Sequence, residues 1–428
     1  MRILVHGINF SPELTGIGKY TGEFAEWLAA RGHQVRVVTA PPYYPQWRVA
    51  DGWSRWRHRI ERHATPGPGS MTVVRCPLWV PQRPSGLRRV LHLASFVLSS
   101  FPAMLAQVAW RPQVVWVVEP ALGCAPQALW VARLSGARAW LHVQDFEVDA
   151  AFDLGLLRGA RRRAAALGIE RWLMSRFDRV SAISERMVER LRAKGVAPQR
   201  ASLFRNWVDL DAITSQPTAS QGGVNIWRER LGVGPQQVVA LYSGNMGGKQ
   251  GLEVLADVAR RLAARNDIIF VLCGQGPARV SLETTCVGLG NVRFLDLQPL
   301  SELDALLNMA DIHLLPQRAD AADLVMPSKL TGMLASGRPV IAAAHPETAL
   351  AEAVRGCGVA VEPECAAAMA DAIAALADDA PRRAALGAAA RQRAEAQLGR
   401  DAVLRSVERD MLALCGEAGP REALGDGR

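Results

Sequence analysis

Val238-Val-Ala-Leu-Tyr-Ser-Gly-Asn-Met-Gly-Gly-Lys-Gln-Gly251 sets an apolar run against a loop holding four glycines and one lysine. The run has the length and β-branched content of a buried strand. Beyond the loop, Leu252, Leu255, Ala259 and Leu262 fall on one face of a helix. In such a strand–turn–helix unit the first free N–H groups of the helix face whatever occupies the turn, and anions bind there. A Walker loop requires Gly, four residues, then Gly-Lys-Ser/Thr. Here Gln250 follows Gly248-Lys249, and Ser243 stands five positions before Gly248, so that pattern fails twice. Two readings stay open at this level, an anion-binding turn and a plain strand-to-helix connection.

Working outward, apolar runs alternate with helical patterns on both sides, the signature of βαβ units and parallel sheets. The first unit runs from Ile3 to Gly7, through a helix with Tyr20, Phe24, Trp27 and Leu28 on one face, to Gln34-Val-Arg-Val-Val-Thr39. Further strands are expected at 73–76, 114–118, 139–143 and 179–183, and after the break at 268–272, 293–295, 312–315, 339–342 and 359–361. The break is Gln216-Pro-Thr-Ala-Ser-Gln-Gly-Gly223, polar and rich in breakers. A chain of 428 residues exceeds the usual size of one core. The expected fold is therefore α/β, two Rossmann-like doubly wound domains facing across a cleft, with ligands at the carboxyl ends of the strands. The expected boundaries are residues 1–205 for the first domain and 206–398 for the second. A helix at 399–415 would pack back on the first domain, and 416–428 would form a flexible tail. The Ala-rich residues 366–393 read as solvent-facing helices.

Composition excludes several classes. With 49% hydrophobic and 21% charged residues the chain is an ordinary globular one. Met1-Arg2 runs straight into Ile3-Leu-Val5 without a secretory signal. The seven cysteines are scattered with no Cys-x-x-Cys pair, which argues against a disulfide framework or zinc site and for a cytosolic chain with reduced thiols. Net charge is +9, yet lysine occurs only at 19, 194, 249 and 329. Beyond charge there is no nucleic-acid motif. In Asn9-Phe-Ser-Pro-Glu-Leu-Thr-Gly-Ile-Gly18 the glycines lie well past the strand end, which demotes a nicotinamide or flavin enzyme. Asp209-Leu-Asp211 resembles a metal-binding Asp-x-Asp, but aspartate at a short helix start is the simpler reading, and no metal is expected.

Trp47, Trp53 and Trp56 interleave with Arg48, Arg55, Arg57, Arg59 and Arg62. That mixture suits an anionic membrane surface, and residues 83–89 add positive charge. Residues 90–110 are long enough to span a bilayer and free of Arg, Lys, Asp and Glu. With Pro102, three serines, a His and a Gln inside, a buried or membrane-dipping helix is the preferred reading. Arg158-Gly-Ala-Arg-Arg-Arg163, leading to Ile169 and Trp172, extends the expectation of peripheral attachment to the inner face of the cytoplasmic membrane.

Four stretches carry a resemblance to a known family. They are Met1-Arg-Ile-Leu-Val-His-Gly-Ile-Asn-Phe-Ser-Pro-Glu-Leu-Thr-Gly-Ile-Gly-Lys-Tyr-Thr-Gly-Glu23, Thr39-Ala-Pro-Pro-Tyr-Tyr-Pro-Gln-Trp47, Tyr242-Ser-Gly-Asn-Met-Gly-Gly-Lys-Gln-Gly-Leu-Glu253 and Pro327-Ser-Lys-Leu-Thr331. The chain, up to about residue 415, resembles the WcaI-type colanic acid biosynthesis glycosyltransferases. These belong to family 4 of retaining, nucleotide-sugar-dependent enzymes with the GT-B fold. The resemblance implies no cofactor. It implies a nucleotide-sugar donor, with GDP-fucose plausible and another hexose such as mannose open, and a polyprenyl-diphosphate-linked sugar acceptor of an exopolysaccharide pathway. Two other functions stay open, a nucleotide-sugar epimerase on the same fold and a non-catalytic membrane-associated assembly protein.

Site residues follow by position. The resemblance implies that Gly16, with Gly18 in the same loop, offers a backbone N–H to the donor diphosphate. Lys249 would be a cation on that diphosphate, with Gly244, Asn245 and Gln250 in its loop. Gly274-Gln275-Gly276 would lie beside the nucleoside. Asp145, ahead of His142, would face the donor sugar, with a core histidine as the other reading of His142. The family's paired glutamates are missing, since Leu324 and Gly332 stand at their positions. Asp323 could replace the first. Lys329, in Pro327-Ser328-Lys329, lies one turn before the second, and Ser328 could cap the helix there. The catalytic set expected is Lys249, Lys329 and Asp145.

Overall fold

A computed structural model of the chain describes residues 1–13, 16–82, 86–119, 122–146, 148–149, 159–217, 222–247, 250–319 and 327–416. It divides into two compact units, one of Met1–Arg205 with the chain from Val403, the other of Asn206–Ala402.

The first unit is built on eight described strands: β1 (Arg2–His6), β2 (Gln34–Thr39), β3 (Arg59–His63), β4 (Ser70–Arg75), β5 (Val114–Glu119), β6 (Arg138–Val143), β7 (Arg179–Ala182) and β8 (Ala201–Leu203). Their order is β3-β4-β2-β1-β5-β6-β7-β8. Every pairing is parallel except β3 with β4. The central strands are mostly apolar because helices cover both faces of a parallel sheet, and all six residues of β5, Glu119 among them, are buried. Trp116 and Trp140 pack at 4.9 Å, and Phe24 of the Gly16–Ala30 helix closes on Trp116 at the same distance.

The sequence pattern missed β3 and β8. Arg59-Ile-Glu-Arg-His63 lacks apolar alternation because it is an edge strand, and charge there deters pairing with other chains. The three tryptophans around it differ in what they touch. Trp53 donates its indole N–H to Glu61 at 3.0 Å. Trp47 packs against Tyr43 and His92, whereas Trp56 is 69% exposed.

The Gly86–Ala106 helix buries His92, Phe96, Ser100 and Met104, one residue per turn. Its polar side chains stitch that face down, His92 to the Trp79 carbonyl at 2.7 Å and Ser99 to the Pro77 carbonyl at 2.5 Å. The opposite face leaves Leu87, Leu91 and Leu98 exposed. Among the described residues, Gly86–Trp110 is the one helical stretch long and apolar enough to cross a membrane.

The Arg400–Leu414 helix buries Leu404, Val407, Met411 and Leu412. Its Glu408 accepts from Arg31 Nη2 at 3.1 Å and lies 2.8 Å from His33 Nε2. Burial holds the His33 imidazole below its ordinary pKa. Neutral, it accepts from the Met1 ammonium through Nδ1, 3.0 Å away, and donates to Glu408 through Nε2.

The second unit holds β9 (Val238–Ser243), β10 (Ile268–Cys273), β11 (Val292–Leu295), β12 (Ile312–Leu315), β13 (Val340–Ala343) and β14 (Gly358–Val361). The order is β11-β10-β9-β12-β13-β14, all parallel. The Ala-rich helices are not simply solvent-facing. The Ala366–Asp378 helix sends Met369, Ala370, Ile373 and Leu376 into the core beside Leu255 and Phe270. The Ala380–Gln397 helix comes so close that a Cβ on Gly387 would sit 2.4 Å from the Gly337 carbonyl. Alanine repeats here buy close approach of backbones. Two hydrogen-bonded ion pairs tie parts of this unit together, the buried Arg228 with Asp311 at 2.9 Å and Arg400 with Asp209 at 2.6 Å.

Each sheet reverses its strand order once, at β1 in the first unit and at β9 in the second. Loops at the carboxyl end of such a switch strand open a crevice, because the helices that follow the two neighbouring strands go to opposite faces. Residues 7–13 and 244–247 leave β1 and β9 at those ends.

Candidate functional site

At the end of β9 the chain turns through Gly244, whose φ of +131° favours glycine. Its N–H donates to the Cys273 carbonyl at 3.0 Å, and Met246 N donates to the Gln275 carbonyl at 2.8 Å. The end of β10 turns through Gly274 and Gly276, with φ of +156° and +149°. A Cβ on Gly274 would stand 1.9 Å from the Gly244 carbonyl oxygen, and one on Gly276 would stand 2.4 Å from that of Met246. The two glycine turns thus lie directly on each other. Gly244, Asn245, Gly274, Gln275 and Gly276, far apart in the chain, form one surface. Tyr242 fixes it from below, donating its phenol to the Asn245 carbonyl at 2.6 Å.

Lys329 reaches the same place. Its Nζ lies 3.9 Å from the centre of the Tyr242 ring, and a Cβ on Gly244 would be 3.7 Å from it. The stem is half-buried, but the amine end is sealed and has no hydrogen-bond partner among the described residues. Burial lowers its pKa from the usual lysine value to about 7. An ammonium held without a partner is costly, so an anion at these turns would satisfy this amine. Gln250 belongs to the same loop, with its side-chain carbonyl oxygen sealed and unpartnered among the described residues. Lys249, Asp323 and Leu324 lie outside the described residues.

The helix after Pro327 is Leu330–Ala335, and its N-cap position is Lys329, with no side-chain cap bond. Ser328 is therefore not the cap. Thr331 instead donates back to the Ser328 carbonyl at 3.0 Å, and Leu330 N to that of Pro327 at 3.0 Å, closing a tight turn that aims Lys329 inward. Gly332 backs on the core, where a Cβ would meet Leu307 Cδ1 at 3.3 Å.

In the first unit, Gly16 opens its helix at φ +62° with nothing within 4 Å of where a Cβ would be. Gly18 does a different job, since a Cβ there would stand 2.5 Å from Glu13 Oε2. Glu13 is the residue that sequence reading passed over. Buried under the loop, it accepts from Tyr43 N at 3.1 Å, Tyr44 N at 3.0 Å and Asn9 Nδ2 at 2.9 Å. Burial raises its pKa, against those bonds and the nearby Arg75. Arg75 is also buried, donating to the Ser11 and Ala40 carbonyls and to Glu61. Together they pin residues 9–13 and 40–44. The signal lay in the quoted motifs, where Glu13 and the Tyr43-Tyr44 pair stand among prolines.

His142 is a core histidine. Its Nδ1 is 2.9 Å from Ser181 Oγ and its Nε2 3.0 Å from Gln144 Nε2, and burial lowers its pKa to about 3. Asp145, two residues past β6, is half-buried and better exposed to the loop surface. Asp209 accepts from Asp211 N and Ala212 N, the bonding of a turn start, and its second oxygen is taken by Arg400. Among the described residues no three His, Cys, Asp or Glu side chains are grouped to hold a metal.

Comparison with known proteins agrees with this architecture. The glycosyl transferase 4-like domain matches residues 15–207, and the glycosyl transferases group 1 domain matches residues 237–379. The chain is 46% identical over 372 residues to a protein of Escherichia coli (strain K12) described as the colanic acid biosynthesis glycosyl transferase WcaI, covering 85% of this chain and 89% of that one. Among solved structures, the sucrose-phosphate synthase of Thermosynechococcus elongatus superimposes with a TM-score of 0.72 at 17% identity, covering 97% of this chain and 99% of that one. Anabaena HepE in complex with UDP-glucose follows at 0.65 and 15%, covering 96% and 100%. With its glycosyl transferase 4-like and group 1 halves, and with 46% identity to WcaI over 372 residues, the chain belongs to the WcaI family of glycosyltransferases, on the GT-B fold.

Proposed function

We propose that the chain transfers a hexosyl or fucosyl unit, with GDP-fucose the foremost donor, to a polyprenyl-diphosphate-linked intermediate of a colanic acid-like exopolysaccharide, with retention of configuration. The observation that carries this reading is the sealed Lys329 amine, without a hydrogen-bond partner among the described residues, beside two interlocked glycine turns at the carboxyl ends of β9 and β10. WcaI is described as acting in colanic acid biosynthesis, and HepE is described in complex with UDP-glucose.

Breaking the sugar–phosphate bond develops negative charge on the diphosphate and positive character on the sugar. Donors fixed at the leaving group lower that barrier without reorganising during the step. Lys329 and Lys249 take this role, with Gly244, Asn245 and Gln250 shaping the turn, and Pro327-Ser328 holding Lys329. Gly274, Gln275 and Gly276 adjoin the nucleoside, and Asp323 stands in for the first missing glutamate. In the first unit, the Gly16 N–H is the candidate phosphate contact and Asp145 the candidate partner of a sugar hydroxyl. Thermal-shift screening against GDP-, UDP- and dTDP-sugars should single out one nucleotide. Transfer from that donor to a lipid-linked acceptor should fall roughly 100-fold or more in Lys249→Ala with the melting temperature unchanged. Unchanged nucleotide release would remove Lys249 from the mechanism.

The same reading places the chain on the inner face of the cytoplasmic membrane. Leu87, Leu91 and Leu98, with Trp130 and Leu134 of the Ala125–Ser135 helix, form an exposed apolar face in the first unit, and Arg88 and Arg89 flank it. Apolar side chains beside arginines suit an anionic lipid surface. High salt should release a substantial share of the protein from membranes. Release by detergent alone would contradict peripheral attachment.

A further inference from the structure

Lys329 has a feature that a simple cationic donor contact does not need. The residue is largely buried, and its amine lies over the Tyr242 ring, out of reach of any hydrogen-bond acceptor among the described residues. A lysine poised for an anion in the empty site would ordinarily point its ammonium into water. Among the described residues the ring face is the one compensation, and a ring quadrupole replaces little of a lost hydration shell. Among the described residues, the titratable group facing the amine is the Tyr242 phenol. It is committed to the Asn245 carbonyl and pushed above the usual tyrosine range by burial. No described carboxylate forms an ion pair with Lys329, and on its own turn it is flanked by Ser328 and Thr331. The flexible stem and the absence of a Cβ at Gly244 leave the amine room to swing from the ring to the turn surface.

We propose that Lys329 is a proton-linked latch, resting as an uncharged amine on Tyr242 in the empty site, then taking up one proton as it swings onto the diphosphate of the incoming nucleotide sugar. The proposal rests on the donor reading above and adds to it a coupling between donor binding and pH. The proton comes from solvent. The amine accepts it to become an ammonium, and the two negative charges of the diphosphate are then the partner that it lacked. The unliganded amine titrates near 7, so coupling is strong in mildly alkaline solution and vanishes in mildly acidic solution.

The test is calorimetric titration of the whole protein with whichever of GDP-fucose, GDP-mannose, UDP-glucose and dTDP-glucose shifts its melting temperature. Each titration is run in two buffers of different ionisation enthalpy. Both phosphates of a nucleotide sugar are diesters that do not titrate near neutrality, so any net uptake belongs to the protein. At pH 8 the latch takes up roughly 0.9 proton per donor bound, and at pH 6 roughly 0.1. Lys329→Arg, always charged, binds with no uptake at either pH. Lys329→Met also shows none and binds more weakly. Donor binding without uptake at pH 8, or uptake that persists in Lys329→Arg, overturns the latch and leaves the donor site standing. Failure of every nucleotide sugar to bind overturns the donor site and the latch together.

Discussion

Lys329→Met should make the second unit more stable while cutting sugar transfer by roughly 10²–10³-fold. The two effects have one cause. In the empty site the amine is sealed against Tyr242 without a hydrogen bond among the described residues, and methionine fills nearly the same volume with no desolvation cost. Replacing a buried polar or charged group by a well-packed apolar one commonly stabilises by about 1–3 kcal/mol. The sign of the pH dependence follows from proton binding. The unfolded lysine holds its proton up to about pH 10.5. The folded one loses it near pH 7, so between these values the unfolded state binds more protons and wild-type stability rises with pH. The advantage of Lys329→Met is therefore largest at pH 7 and below, and shrinks by about 2 kcal/mol toward pH 9. Urea denaturation at pH 6.5 and 9, beside a donor-turnover assay, measures all three quantities. A variant less stable than wild type at pH 6.5, or one that turns over normally, would refute this account of Lys329. Instability stored in a candidate site in this way would be the usual trade between stability and function.

Much of the fold was legible because a parallel sheet writes itself into sequence as short apolar runs. Strands β2 and β12 have the bounds that the runs implied, and most of the others differ by a residue or two. The edge strand β3 was not legible, since a strand that must stay polar carries no period-2 signal. The face of the Ala366–Asp378 helix was misread for a related reason, because alanine is weakly hydrophobic and marks close packing as readily as exposure. At the candidate site, the glycines after β9 and β10 announced two turns, but their interlocking could not be seen. It depends on β9 and β10 being sheet neighbours in register, Ser243 opposite Cys273. Lys329 was conspicuous in a chain so poor in lysine. That its amine folds onto Tyr242 follows from the tight turn at residues 327–330, which no local pattern encodes. Glu13 was hidden because a buried carboxylate is rare, and its partners are backbone N–H groups of a segment thirty residues on.

Gly274→Ala should be the most damaging single-methyl change in the second unit. The added Cβ would stand 1.9 Å from the Gly244 carbonyl oxygen, about half of an ordinary contact distance. The obstacle is backbone, so no rotamer change relieves it. The backbone at φ +156° also disfavours any residue with a Cβ. Relief requires the Gly244 turn to lift off β10, which breaks the Gly244 N–H bond to Cys273 and moves the surface on which Lys329 rests. A backbone clash combined with a lost buried hydrogen bond costs about 3 kcal/mol or more. Donor binding should vanish with it. Gly16→Ala supplies the contrast, because at φ +62° with open space around it the change costs only the left-handed backbone term, about 1–2 kcal/mol. Calorimetric melting paired with hydrogen exchange resolved by peptide would separate the units. In Gly274→Ala, peptides covering β9, β10 and their turns should lose protection while those of β1, β5 and β6 keep it. Equal protection in both units, or a melting temperature within about 1 °C of wild type, would mean that the two turns do not interlock as described.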